Sequence, residues 1–187
     1  MPSEFQQAKI DHRFELLDAD GDGYVTAADF DEIAANVCEA FDLADGSPQY
    51  EKMQLIHLNL WGALSQGPGG RSAERIDREQ FAAVYVQNFI ETEGGYDQSM
   101  GLLPQTVFEV VAEDDDGVLH IDELARWISA YGVREDDARR ALTALDREGD
   151  GVLSLDEVRQ ALKEFYIGDD PAAPGNRLFG PLPTRKR

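Results

Sequence analysis

Residues 18–29 read Asp18-Ala19-Asp20-Gly21-Asp22-Gly23-Tyr24-Val25-Thr26-Ala27-Ala28-Asp29. Acids fall at the first, third, fifth and twelfth places, glycine at the sixth and an aliphatic residue at the eighth. Carboxylates on alternate residues repel one another unless a cation sits between them. Glycine at the sixth place allows the left-handed backbone of a sharp turn. The pattern suits a hard divalent cation, which takes six to eight oxygens at about 2.3–2.6 Å. Helical spacing lies on both sides: Ile10, Phe14 and Leu17 before the stretch, and Phe30, Ile33 and Val37 after it.

The pattern recurs further along. Asp146-Arg-Glu148-Gly-Asp150-Gly151 leads to Leu153 and Glu157, and Glu113-Asp114-Asp115-Asp116-Gly117 leads to Leu119 and Glu123. Helical faces flank these copies as well: Phe108 and Val111, then Leu124, Trp127, Ile128 and Tyr131; Ala138, Leu142 and Leu145, then Val158, Leu162 and Phe165. A fourth unit carries almost no acids. Its helices are read from Met53 to Leu64 and around Phe81, Val84, Tyr85 and Phe89, with Ile76 in the aliphatic place between them. Helix–loop–helix is the repeating unit. Each unit leaves an apolar face for a neighbour to cover, so four units predict two packed pairs. Val25 with Ile76, and Leu119 with Leu153, predict short β ladders within the pairs.

Composition narrows the function. The 187 residues hold 37 acids against 17 bases, a net charge of −20, and 42% of them are apolar. Such a charge repels nucleic acid and anionic membranes and attracts divalent cations. The apolar share is enough for a core, and no apolar run is long enough to span a membrane. The start, Met1-Pro2-Ser3-Glu4-Phe5, lacks the features of a signal peptide, and Cys38 is the single cysteine. Both lead to the expectation of a cytoplasmic protein.

The motif D-x-[DN]-x-[DN]-G…E resembles the calcium loop of the EF-hand family, and the resemblance covers nearly the whole chain. It implies an all-α fold of four EF-hand units in two pairs. The domain boundaries follow as 1–93 for the first pair, 94–103 for a Gly-rich linker, 104–168 for the second pair and 169–187 for a Pro-rich tail folded back. It also implies ligands from places 1, 3, 5, 7 and 12, with place 9 contributing directly or through water. In the first loop these are Asp18, Asp20, Asp22, the Tyr24 carbonyl, Thr26 and Asp29. In the fourth they are Asp146, Glu148, Asp150, the Val152 carbonyl, Ser154 and Glu157. Aspartate at place 12 of the first loop has a shorter reach than glutamate, which favours six-coordination and Mg²⁺ competition. The third loop is degraded, with Ala112 in the first place; Asp114, Asp116, the Val118 carbonyl and Glu123 remain, and His120 holds place 9. The second loop offers Gly69, Arg71, Ala73 and Gln80 and is read as a structural partner only. Two to three Ca²⁺ ions are expected.

Within the family, the chain is similar to the sarcoplasmic calcium-binding proteins and their bacterial calerythrin-like members, in length, silent second unit, Asp29 and Pro-rich end. That resemblance implies a calcium buffer; a tail that caps the apolar groove favours a monomer. The residues agree, since Met1, Met53 and Met100 lie outside the helices flanking the strong loops. Such a chain lacks the Met-rich groove of a sensor. Leu178, Phe179 and Leu182 are placed to fill any groove of the last pair, and the basic Arg185-Lys186-Arg187 end is attracted to an acidic body. Two alternatives stay open: a sensor that opens for a protein target, and a luciferin-binding or light-emitting relative using Trp61, Trp127, His12, His57 and Tyr131. No catalytic constellation is present, so no enzyme is expected.

Overall fold

The computed structural model describes residues 1–66, 72–112 and 117–183. The expected loop residues Gly69, Arg71, Asp114 and Asp116, and the basic end Arg185–Arg187, lie outside these residues.

Helix α1 (Glu4–Leu17) opens on a capping box: Ser3 Oγ accepts the Gln6 N–H at 3.0 Å, and Gln6 Oε1 accepts the Ser3 N–H at 3.0 Å. This satisfies two backbone donors that the first turn leaves without helical partners. Strand β1 (Tyr24–Thr26) and helices α2 (Ala27–Ala40) and α3 (Pro48–Ser65) follow. Helix α3 starts five residues before the expected Met53, because Ser47 caps it and Pro48 takes the first turn. Next come β2 (Arg75–Asp77) and α4 (Arg78–Tyr85), which runs on as a π-helical stretch, Val86–Glu91. The Gly-rich stretch after it contains a short helix, α5 (Gly95–Met100), whose Tyr96 and Met100 are buried. The rest of the chain gives α6 (Leu103–Val111), β3 (Val118–His120), α7 (Ile121–Ser129), α8 (Glu135–Leu145), β4 (Val152–Ser154) and α9 (Leu155–Ile167).

The fold is all-α apart from two small antiparallel ladders. Strand β1 pairs with β2, setting Val25 against Ile76, and β3 pairs with β4, setting Leu119 against Leu153. Those are the pairs the repeat predicts. All four side chains are buried. Each ladder therefore ties two loops together through backbone hydrogen bonds and an apolar contact.

The apolar faces read from the sequence form one core. Ile10, Phe14 and Leu17 meet Phe30, Ile33 and Phe81, and the Phe14 and Phe81 rings stack edge-on at 5.6 Å. Around α7 and α9 the core is closed by the segment after α9. Leu178 and Phe179 are buried, with the Phe179 ring 4.9 Å from Phe165, 5.9 Å from Tyr131 and 6.5 Å from Trp127. Burying one such phenylalanine contributes about 1.5–3 kcal/mol.

Two cations of α1 enter this core. Lys9 is 1% exposed, and its ammonium donates to the carbonyls of Glu164 at 2.8 Å and Gly168 at 2.6 Å and to Asn176 Oδ1 at 3.3 Å. It thus caps the C-terminal end of α9, where carbonyls lack helical donors. Burial lowers its pKa to about 8, against the pull of Asp169 and Glu164. Arg13 lies among the rings of Tyr131 and Phe179, 4.9 and 4.6 Å from their centroids. Among the described residues, no helix is long and apolar enough to cross a membrane.

Candidate metal centre

Places 9 and 12 of each loop have a second duty, because they are also the N-cap and third residue of the helix that leaves it. In the first loop, Asp29 Oδ2 accepts from the Thr26 N–H at 2.8 Å and from Thr26 Oγ1 at 2.7 Å. Asp29 Oδ1 accepts the Ala19 N–H at 3.0 Å, so one carboxylate pins both ends of the loop. Glu157 does the same in the fourth loop: Oε2 takes the Ser154 N–H at 2.9 Å and Ser154 Oγ at 2.8 Å, and Oε1 takes the Arg147 N–H at 2.8 Å. The aspartate reaches equivalent partners despite its shorter stem. A carboxylate has about four lone-pair sites, so each keeps acceptor capacity for an ion. In the third loop, Glu123 Oε2 accepts the His120 N–H at 2.7 Å. In the second, Gln80 Oε1 accepts the Asp77 N–H at 3.0 Å, so an amide fills the structural role without the charge.

The sixth place differs in the same way. Gly23, Gly117 and Gly151 have φ of 79–88°. The second loop has Glu74 there, and among the described residues Asp42 is the one non-glycine with positive φ, so Glu74 does not make the sharp turn. Arg75 instead lays its guanidinium 4.2 Å from the Tyr24 ring centroid.

The first loop draws its acids together. Asp18, Asp20 and Asp22 each offer an oxygen, and these lie within 4.8 Å of one another, the one such cluster among the described residues. Asp18 Oδ2 accepts the Gly23 N–H at 3.0 Å, whereas Asp18 Oδ1 is buried with no hydrogen-bond partner. A buried, unpaired carboxylate oxygen is costly unless a cation or donor meets it. Asp20 and Asp22 brace the turn by accepting the N–H groups of Asp22 at 3.0 Å and Tyr24 at 2.8 Å. This donor set of hard oxygens fits a divalent cation such as Ca²⁺ or Mg²⁺.

The fourth loop arranges similar residues differently. Both Asp146 oxygens are engaged: Oδ1 by the N–H groups of Gly149 at 2.6 Å and Asp150 at 3.3 Å, and Oδ2 by Gly151 at 2.8 Å. These bonds, that of Gly151 foremost, hold its pKa below the ordinary value. The Glu148 pKa is raised, first by the charge of Asp150 and then by that of Glu157. Burial pushes the Glu157 carboxyl upward, but the hydrogen bonds from Arg147 and Ser154 outweigh it and leave the pKa lowered. Spacing alone gave no sign of this difference between two loops of like pattern.

The EF hand family pattern matches residues 10–34, which span the second half of α1, the first loop and the start of α2. Calerythrin of Saccharopolyspora erythraea is 28% identical over 170 residues, covering 90% of this chain and 96% of calerythrin. The chain is thus similar to the calerythrin-like EF-hand proteins. A solved calcium-binding protein of Streptomyces coelicolor superposes with a TM-score of 0.74 at 27% identity, covering 88% of this chain and 99% of its own. The luciferin-binding protein of Renilla reniformis is 24% identical over 177 residues, covering 93% of this chain and 92% of the relative. None of these relatives is named as an enzyme.

Of the other residues singled out in the sequence, the histidines have structural partners, whereas the buried Trp127 Nε1 has no hydrogen-bond partner. His57 is 1% exposed, with Nδ1 2.9 Å from the Met53 carbonyl and Nε2 3.1 Å from the Tyr131 hydroxyl. Burial lowers its pKa to about 4, so the ring is neutral near pH 7. His12 Nε2 lies 2.8 Å from the Phe179 carbonyl. Cys38 is a buried free thiol on α2. Lys9 and Arg13 were missed in the sequence, where charged positions on a helix read as a solvated face.

Proposed function

We propose that this protein binds Ca²⁺ through its first and fourth loops and acts as a buffer. The observation that carries the metal reading is the buried, unpaired Asp18 Oδ1 beside Asp20 and Asp22. Ligands in the first loop are Asp18, Asp20, Asp22, the Tyr24 carbonyl and Asp29. Those in the fourth are Asp146, Glu148, Asp150, the Val152 carbonyl and Glu157. Val118 and Glu123, with Asp114 and Asp116, form a weaker third site. Mg²⁺ competes at the first loop, where place 12 is the shorter acid. Two named relatives support the calcium reading: the calcium-binding protein of Streptomyces coelicolor and the probable calcium-binding protein CML17 of Oryza sativa, 23% identical over 168 residues.

The buffer role is favoured by the filled groove. A sensor presents an apolar cleft between the helices of a pair when it loads. Here Phe179 and Leu178 already occupy the space beside Trp127, Tyr131 and Phe165. One observation favours the sensor as a second reading: Leu55, Leu58 and Leu102 are each more than half exposed. The Streptomyces coelicolor structure is described in terms of calcium-mediated regulation, which keeps that reading in view.

The test is a Ca²⁺ titration of metal-stripped protein with a dye for apolar surface, at constant Mg²⁺. A buffer gives fluorescence that stays low or falls as the loops fill. A steep rise at micromolar Ca²⁺ replaces the buffer with the sensor. No uptake of Ca²⁺ overturns the metal reading itself.

A further inference from the structure

We infer that the core of this protein holds a small monovalent anion of chloride size against Arg13. Arg13 is 3% exposed, and its Nε and Nη1 are buried without a hydrogen-bond partner. Among the described residues it enters no ion pair, and the neutral Tyr131 hydroxyl is the hydrogen-bonding group beside it. It lines a small cavity whose other walls include Phe30, Leu60, Phe81, Tyr85 and Tyr166.

The surroundings explain why an anion belongs there. The rings of Phe179, Tyr131 and Tyr166, with centroids 4.6, 4.9 and 5.9 Å from the guanidinium carbon, offer their π faces. Ring faces ease the burial of a cation but do not replace acceptors for N–H groups lying in the guanidinium plane. The nearby titratable groups do not supply a countercharge either. His57 is neutral near pH 7, and the hydroxyls of Tyr85 and Tyr131 have pKa values raised by burial, that of Tyr131 to about 12. The only other cation drawn into this core from α1, Lys9, is fully engaged by its three oxygen acceptors. A buried charge without a partner is strongly disfavoured. The acids that give the chain its charge of −20 do not neutralise this site.

Size limits the occupant to one small particle, and charge chooses between water and an anion. The cavity gives the centre of a water-sized sphere about 20 Å³ of room. One water requires ~10–15 Å³ by this measure, so a single small particle fits and a drug-sized molecule does not. Water satisfies the N–H groups but leaves the charge. A halide satisfies both.

The experiment compares chloride, bromide and a bulky organic anion, at constant ionic strength, on the full chain in both metal-free and Ca²⁺-loaded states. The thermal midpoint is expected to rise saturably with chloride or bromide, by about 3–6 °C at ten times the dissociation constant. Crystals grown in bromide are expected to show an anomalous peak within hydrogen-bonding reach of Arg13 Nε or Nη1. The halide response is expected to vanish in Arg13→Met. An equal response in wild type and variant is a general salt effect and overturns the inference, as does a water without anomalous signal at saturating bromide. If Arg13→Met does not fold, the anion series and the bromide peak on the wild type decide the matter.

Discussion

The first and fourth loops share one pattern of acids and glycines, yet they hold their position-1 carboxylates in opposite ways. Asp18 accepts one backbone N–H and leaves Oδ1 buried and unpaired, with Asp20 and Asp22 drawn close. Asp146 has both oxygens satisfied by the turn. The first loop stores its repulsion in the absence of an ion, whereas the fourth relaxes part of it into backbone hydrogen bonds. The difference teaches that ligand spacing and readiness for a ligand are separate properties of a loop. An ion entering the first loop meets a free acceptor. One entering the fourth shares Asp146 with N–H groups that already hold it.

The sharpest test of this contrast is Asp18→Ala. It removes the free acceptor and is expected to weaken Ca²⁺ binding at the first loop by ~100-fold or more, leaving the fourth-loop transition in place. Isothermal titration with two resolved sites measures this, and an unchanged first transition breaks the comparison. Asp29→Glu comes next. The longer acid is expected to raise the ratio of Ca²⁺ to Mg²⁺ affinity at the first loop about tenfold, or ~1.4 kcal/mol. Competition titrations read that ratio directly, and no change removes the Mg²⁺ argument.

The fourth loop gives two smaller tests. Glu148→Asp restores the shorter acid and is expected to tighten that loop about threefold, measured in the same titration. A loss of affinity instead assigns the longer side chain a necessary reach. Glu148 also sets a pH dependence in the metal-free protein. Its folded pKa is raised above the ordinary 4.5 by Asp150 and then Glu157. The folded state therefore holds more protons than the unfolded chain just above pH 4.5, and this contribution to stability falls as pH rises through that window. Asp146 and Glu157 act in the opposite sense, since their lowered pKa values give stability that is lost as pH falls. Urea midpoints of wild type and Glu148→Gln, measured across that window, should differ in slope. Identical slopes mean that the acids of the empty fourth loop do not sense one another.

Much of the fold was legible because spacing fixes it. An aliphatic residue at place 8 of each loop predicted the pairs Val25 with Ile76 and Leu119 with Leu153, since a two-stranded ladder sets those places opposite each other. The start of α3 was readable too, from the Ser47-Pro48 signal, but the apolar run beginning at Met53 drew attention past it. Helix α5 was hidden because Gly94 and Gly95 read as breakers, while Tyr96 and Met100 gain their burial from distant helices. At the candidate centre, the loop register followed from the acids and glycines. Which oxygens the backbone consumes did not, because that depends on turn geometry rather than residue type. Arg13 and Lys9 were illegible for a related reason: only the assembled core shows that their helix is covered on the side they occupy.

The contact between His12 and Phe179 joins residues 167 apart in the chain, and Lys9 reaches Gly168 from the same helix. During synthesis at ~5–20 residues per second, α1 waits roughly 10–30 s before the aromatic residue that completes its surroundings has been made. Until then the helix carries two basic side chains with no interior to receive them. The nascent chain thus cannot close its centre from the N-terminal end alone, and the centre closes only once the segment after α9 has been made.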